Sequence, residues 1–140
     1  KRKIKLKSNK FLKKELIRPT KIYVKELSTI NEKNLINGCA NITGGGLADN
    51  LKRIIPKNLG AEINLNNIKP LKIFKWLYKM GISEKEMLKT FNCGVGFCLV
   101  IKPENYDKII KHFGRNFKPY IIGKILKSSK KIKLSGKISW

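Results

Sequence analysis

Apolar residues recur along the chain with two periods, one helical and one extended, and turn residues separate the stretches that carry them. Tyr23, Leu27 and Ile30 stand at helical spacing behind Pro19-Thr20. The spacing predicts a helix over 21–30 with Thr20 as its N-cap, although Ile22-Tyr23-Val24 also reads as a short strand. A polar loop over 31–34 leads to a buried strand over 35–42. Leu47, Leu51, Ile54 and Ile55 then mark one side of a helix that Pro56 ends. Residues 60–65 alternate apolar and polar, the period of a half-buried strand. After Pro70, the spacing of Leu71, Phe74, Leu77 and Tyr78 predicts a helix that stops at Gly81. Ser83 and Glu86 match a capping box, so a short helix carrying Met87 and Leu88 starts there and ends near Phe91.

The run Phe97-Cys98-Leu99-Val100-Ile101 is continuously apolar, as a central strand is. Pro103 opens a helix with Tyr106, Ile109, Ile110 and Phe113 on one face and Gly114 as its stop. Residues 120–126 read as a strand. Ile132 and Leu134 belong to a last, edge strand, whose lysines discourage stray pairing. Helices and strands alternate in an order that gives an α/β or α+β fold, with helices packed on a mixed sheet. At 140 residues the chain suits one domain with a real core.

Residues 1–14 are lysine-dense, with a thin apolar thread of Ile4, Leu6, Phe11 and Leu12. They read as a connector from something upstream, or else as a basic arm. The chain opens on Lys1 and not on methionine, which marks a fragment or a processed chain. The formal net charge is +23, from 32 Lys+Arg against 9 Asp+Glu, which ordinarily points to nucleic acid or an anionic membrane surface. Nearly all the cations are lysine; the arginines are Arg2, Arg18, Arg53 and Arg115. Surfaces that clamp phosphate and read bases favour arginine's planar fork. The chain is also rich in Ile and Asn, the bias that AT-rich codons produce, and a compositional origin of the charge is preferred. No apolar stretch is long enough to span a membrane. Cys39, Cys93 and Cys98 form no CxxC pair and His112 is the one histidine, so a zinc site is not expected. Free, mostly buried thiols in a reducing cytoplasm fit better.

The candidate chemistry centres on Cys39-Ala40-Asn41-Ile42-Thr43-Gly44-Gly45-Gly46-Leu47-Ala48-Asp49-Asn50. Three consecutive glycines are costly in conformational entropy unless the backbone needs positive φ or close approach. A glycine turn feeding a helix N-terminus can hold an anion on backbone N–H groups, and the triplet alone leaves a ligand-free strand-to-helix turn equally open. There is no Gly-Lys-Ser/Thr and no GxGxxG, so neither standard nucleotide loop is present. Asn92-Cys93-Gly94-Val95-Gly96 is a second glycine-bearing turn. A Cys93–His112 dyad is conceivable, but cysteines in apolar surroundings are mostly core residues, and His112, between Lys111 and Phe113, reads as a surface side chain. No catalytic residue is assigned.

Four stretches together carry a resemblance. They are Leu16-Ile17-Arg18-Pro19-Thr20-Lys21-Ile22-Tyr23-Val24-Lys25; Asn41 to Asn50 with Arg53 and Pro56; Ile73-Phe74-Lys75-Trp76-Leu77; and Met87-Leu88-Lys89-Thr90-Phe91-Asn92-Cys93-Gly94-Val95-Gly96. Ile121-Ile122-Gly123-Lys124-Ile125 also fits. From about Phe11 onward the chain resembles the C-terminal half of the phosphoribosylformylglycinamidine cyclo-ligases, or aminoimidazole ribonucleotide synthetases. The resemblance implies a three-layer α/β/α sandwich with a mixed sheet over 19–140, and a connector over 1–18 from an N-terminal domain. It implies ATP-dependent ring closure of formylglycinamidine ribonucleotide in purine biosynthesis, in the cytoplasm, by a homodimer. ATP and Mg2+ would be bound mainly by the N-terminal domain, and residues 1–140 alone are expected to be inactive. The family usually has histidine where this chain has Asn41, and often glutamate where it has Asp49. Asn41 can hydrogen-bond but cannot move protons near neutral pH.

A phosphate-bearing substrate needs anion sites. The candidates for it are Thr43, Gly44, Gly45 and Gly46, with Asn50 as an amide and Arg53 as a bidentate clamp. Thr20, Tyr23, Asn41, Asn92, Cys93 and Gly94 are expected to line the cleft. The alternatives are a small basic nucleic-acid-binding domain and a related two-domain ATP-dependent enzyme. Against the first, Phe74, Trp76, Tyr78, Tyr106 and Phe113 fall mostly on apolar helix faces and not on a lysine-laced stacking platform.

Overall fold

A computed structural model describes residues 9–113 and 117–140. The first described element is helix α1 (Lys10–Leu16), where the periodicity indicates none. Asn9 caps it, its side-chain oxygen accepting from Leu12 N–H at 3.1 Å, and Leu12 is buried. Ile4 and Leu6 lie outside the described residues.

Helix α2 spans Val24–Glu32, so it starts later than expected and Thr20 is not its cap. Tyr23 holds the N-cap position without a side-chain cap bond. Its ring is instead drawn between Phe97 and Phe117, at centroid distances of 5.3 and 5.4 Å. Aromatic packing there outweighs Thr20's capping propensity.

Strand β1 (Gly38–Asn41) is followed by α3 (Gly46–Ile54), β2 (Leu59–Asn64), α4 (Lys72–Lys79) and α5 (Glu84–Thr90). Then come β3 (Phe97–Val100), α6 (Tyr106–His112), β4 (Gly123–Lys127) and β5 (Ile132–Ser135). The expected capping box is half realised. Ser83 Oγ accepts from Glu86 N–H at 3.3 Å, while the Glu86 carboxylate accepts from the Thr90 hydroxyl. A 3-10 turn over Pro103–Asn105 precedes α6, and Gly114, its expected stop, lies outside the described residues. His112 is half-buried, not a surface residue, and its Nε2 has no hydrogen-bond partner among the described residues.

The fold mixes helices and strands as the pattern predicted, with the strands in two sheets. β1 pairs antiparallel with β3, Asn41 opposite Phe97 and Gly38 opposite Val100. The other sheet is mixed, in the order β4-β2-β5, with β4 antiparallel and β5 parallel to β2. The centre of a sheet therefore belongs to the alternating strand β2. The wholly apolar run at β3 has one strand partner among the described residues. Within it Cys98 is buried while Phe97, Leu99 and Val100 are half-buried, so the continuous apolar run marks a strand packed on one side and not the centre of a sheet.

Ala61 and Ile63 of β2 point into the core with Ile42, Leu47, Leu51, Met87 and Cys98. On the opposite face Glu62 bridges both neighbouring strands, 2.7 Å from Lys133 Nζ and 3.4 Å from Lys124 Nζ. Lys133 first, then Lys124, hold its carboxyl below the usual range. Helix α4 has no fully buried residue; Phe74 meets Phe91, and Tyr78, expected on the core face, lies at the surface stacked on Trp140. Lys131 reaches the open end of α3, its ammonium donating to the carbonyls of Ile55 and Pro56. An exposed apolar strip runs along one segment: Leu16, Ile17, Ile22 and Val24 are each more than 60 % exposed. No helix among the described residues is long and apolar enough to cross a membrane.

Candidate functional site

β1 delivers the chain through buried Ile42 to the glycine turn, and the three glycines prove to be there for different reasons. Gly45 and Gly46 have φ of +93° and +65°, in the left-handed region that favours glycine. A Cβ on Gly46 would run into the Leu88 carbonyl oxygen, so this glycine lets α3 cross α5 closely. A Cβ on Gly45 would lie 3.2 Å from Asp49 Cβ and 3.4 Å from its carboxylate. Gly44 meets nothing within 4 Å and is exposed, as is Thr43. Gly46 N–H donates back to the Thr43 carbonyl at 3.2 Å and closes the turn.

Asn50 lies beneath this turn and is the buried polar side chain of the described core, 5 % exposed. Its amide donates to the carbonyls of Gly46 at 2.7 Å and of Thr43 and Gly44 at 3.3 Å. The amide read from sequence as a ligand donor thus grips the turn from inside. Arg53 is exposed in the last turn of α3. Seven residues of helix put it about 10 Å along the axis from Gly46. With Lys52 it stands where cations complement the carbonyl end of a helix. The structure does not bring Arg53 to the glycine turn.

The second turn is tightly self-bonded. Asn92 Oδ1 accepts from Gly94 N–H at 3.0 Å, and the Asn92 carbonyl accepts from Val95 N–H at 2.9 Å. Cys93 has φ of +50° and is buried, its thiol against the Met87 and Phe91 carbonyls at 3.5 and 3.6 Å. Burial first, and the charge of Glu84 second, push that thiol up to about 11. It is protonated near neutral pH and has no thiolate to offer as a nucleophile. Gly94, at φ of +100°, backs onto the 69–71 segment: a Cβ would lie 2.9 Å from the Lys69 carbonyl and 3.1 Å from Leu71 N.

The two turns meet. Ile42 N–H donates to the Gly96 carbonyl at 3.0 Å, continuing the β1–β3 ladder by one bond, so both turns stand at the same end of that ladder. Asn41 faces Phe97 across the strands, and the Tyr23 ring packs on Phe97 with its hydroxyl over Gly96. Tyr23, Asn41, Thr43, Gly44 and the 92–96 turn therefore form one neighbourhood, floored by Asn50. Thr20 is exposed in the segment leading to Tyr23. Sequence reasoning missed the contact between Tyr23 and Gly96, for which the second glycine of Gly94-Val95-Gly96 was the one available signal. Among the described residues no group of three or more His, Cys, Asp or Glu side chains could hold a metal ion.

Residues 1–134 match the family model described as AIR synthase related protein, C-terminal domain. The chain is 43% identical over 123 residues to the bifunctional purine biosynthetic protein purD of Dictyostelium discoideum, covering 86% of this chain and 15% of that protein. It is 43% identical over 116 residues to the bifunctional purine biosynthetic protein PUR2,5 of Pichia angusta, covering 80% and 14%. It is also 43% identical over 122 residues to the phosphoribosylformylglycinamidine cyclo-ligase of Bacillus cytotoxicus, covering 84% and 35%. The chain thus spans about a third or less of the length of these relatives.

Proposed function

The chain belongs to the AIR synthase related family, as a C-terminal domain, and from that premise we propose that it is the substrate-side part of a phosphoribosylformylglycinamidine cyclo-ligase. In this reading the longer enzyme closes formylglycinamidine ribonucleotide to aminoimidazole ribonucleotide in purine biosynthesis. ATP supplies the phosphoryl group that makes the formyl amide oxygen a leaving group. The amidine nitrogen attacks that carbon, loses a proton, and phosphate departs as the ring closes. ATP and Mg2+ belong mainly to the part of the enzyme outside this chain. The exposed strip of Leu16, Ile17, Ile22 and Val24 faces that same part. The enzyme works as a cytoplasmic homodimer; the unpaired thiols of Cys39, Cys93 and Cys98 support a reducing compartment.

Within this chain, Thr43 and the exposed backbone of Gly44 contact the substrate's phosphate, and Gly45 and Gly46 give the turn its shape. Asn50 acts through the turn by holding its carbonyls. Tyr23, Asn41, Thr20 and the Asn92-Cys93-Gly94 turn line the cleft beside it. The observation that carries this reading is the meeting of the two glycine turns through the Ile42–Gly96 hydrogen bond. Positioning and charge stabilisation dominate phosphoryl transfer, and two backbone-rich turns fixed against each other suit that task. The test uses the purified longer enzyme with formylglycinamidine ribonucleotide and ATP. Release of ADP together with the aminoimidazole product is expected; no substrate-dependent ADP release overturns the reading.

A further inference from the structure

Gly96 has no backbone reason to be glycine, because its φ is not in the positive region that Gly45, Gly46 and Gly94 occupy. What it lacks is room. A Cβ there would run into the Tyr23 hydroxyl, with Tyr23 Cζ at 3.2 Å and Cε2 at 3.7 Å. That hydroxyl cannot simply swing away, since the ring sits against Phe97 and Phe117. The backbone of Tyr23 is fixed too, its carbonyl accepting from Leu27 N–H at 3.0 Å as α2 begins. On the other side, the Gly96 carbonyl holds Ile42, the residue before Thr43. A continuous physical path therefore runs from the start of α2, through the Tyr23 ring, to both glycine turns.

We propose that Tyr23 is a positioning residue: wedged by its ring and seated on the bare Cα of Gly96, it sets where the 92–96 turn stands relative to the Thr43–Gly46 turn. The proposal rests on the reading above, in which those turns hold the substrate. Burial also raises the Tyr23 pKa, which keeps the phenol neutral and suited to this half-buried seat. Tyr23 acts through shape, and it need not touch the reacting atoms.

The test is a steric rescue in the longer enzyme. Gly96→Ala should force Tyr23 off its seat and raise KM for formylglycinamidine ribonucleotide by about tenfold or more, since misplacement on the order of 1 Å costs this much. Tyr23→Phe removes the hydroxyl and leaves the wedge, and because Tyr23 lines the cleft its own KM is the reference against which the pair is read. The pair Gly96→Ala with Tyr23→Phe should bring KM most of the way back to that of Tyr23→Phe alone, because the clash with the hydroxyl is gone and Cζ, at 3.2 Å, has to give by only a few tenths of an ångström. The proposal is overturned if Gly96→Ala keeps the parent's KM, or if the pair is no better than Gly96→Ala. Recovery of melting temperature in the pair, with KM unmoved in every variant, also overturns it, because that is what a merely structural contact gives. Should Gly96→Ala fail to fold, a folded pair with a KM near that of Tyr23→Phe supports the wedge and an unfolded pair refutes it. If the parent itself does not turn over the substrate, the functional reading fails instead. The interaction between positions 23 and 96 is then still read from melting temperatures across the four proteins.

Discussion

Truncating Asn50 separates a donor that faces a ligand from one that holds the turn beneath it. Its amide nitrogen carries two hydrogens and is shared among three carbonyls, so at most two full-strength bonds are lost in Asn50→Ala. The bond to Gly46 is the short, buried one, at 2.7 Å. The Thr43 and Gly44 carbonyls lie in exposed residues, and water can replace their partner. Two net bonds at roughly 1 kcal/mol each, with a small cavity term, give a loss of about 2 kcal/mol. In the intact enzyme this should lower the melting temperature by several degrees and loosen phosphate binding with it. Asn50→Asp is the sharper perturbation. It keeps the shape but presents an acceptor-only carboxylate to three carbonyl oxygens, so it should be less stable than Asn50→Ala. Thermal unfolding and substrate titration on the same two variants read both effects. If Asn50→Ala melts like the parent yet binds substrate poorly, the amide faces the ligand and the clamp is wrong.

Gly45→Val places a β-branched side chain at φ of +93° and beside Asp49, so it should cost both folding and binding, whereas Thr43→Val should melt normally and lose affinity only. Binding as tight as the parent's in both variants, measured by titration with substrate, would move the anion site elsewhere. Cys39 is exposed while burial pushes Cys93 and Cys98 up to about 11 and about 12. Iodoacetamide at pH 8 should therefore label Cys39 alone in the folded protein, as read by mass spectrometry. The two raised thiols also stabilise the fold fully below the ordinary thiol value, and that contribution falls as pH climbs toward their folded values. Duplex DNA should bind weakly, without sequence preference, and lose affinity steeply between low and physiological salt; tight selective binding in a salt titration would favour a nucleic-acid role.

How much of this was legible in the sequence depended on whether the cause was local. Period and caps located α3, β2 and α5 to within a residue or two, because a helix face, an alternating strand and Ser83's cap are set within a few positions. Thr20 misled because the competing force was the packing of Tyr23 on Phe97 and Phe117, more than 70 residues away. The run at β3 overstated its burial, since only Cys98 is buried there, and gave no sign of its partner, β1, which is distant in the chain. Asn50 read as a polar helix position. The turn it grips precedes it by four to seven residues, so a buried asparagine one helical turn after Gly46 was a signal within reach.

The glycines were legible as a motif but not as causes. In sequence, Gly44, Gly45 and Gly46 look equivalent; in the fold Gly44 is open, Gly45 is bent and Gly46 is bent and also pressed on the Leu88 carbonyl. Gly94 is pressed on the Lys69 carbonyl and Gly96 on the Tyr23 hydroxyl. Each of these three contacts joins a turn of the site to a segment from a different part of the chain. A missing Cβ is what allows each approach, so adding a methyl at Gly46, Gly94 or Gly96 displaces backbone or a wedged ring and not a pliable side chain. Gly44 is the exception, and the difference has a consequence for the site. A ligand can reach only backbone that protein has not already covered. Of the three glycines in the triplet, Gly44 alone has open space where its side chain would be, next to the exposed Thr43. Gly44→Ala should therefore fold like the parent, because nothing of the protein occupies that space, and any affinity it loses for a phosphate-bearing substrate measures the ligand's own approach. Normal melting with weakened substrate binding is the expected result. Normal melting with unchanged binding would show that the ligand does not come to this face of the turn.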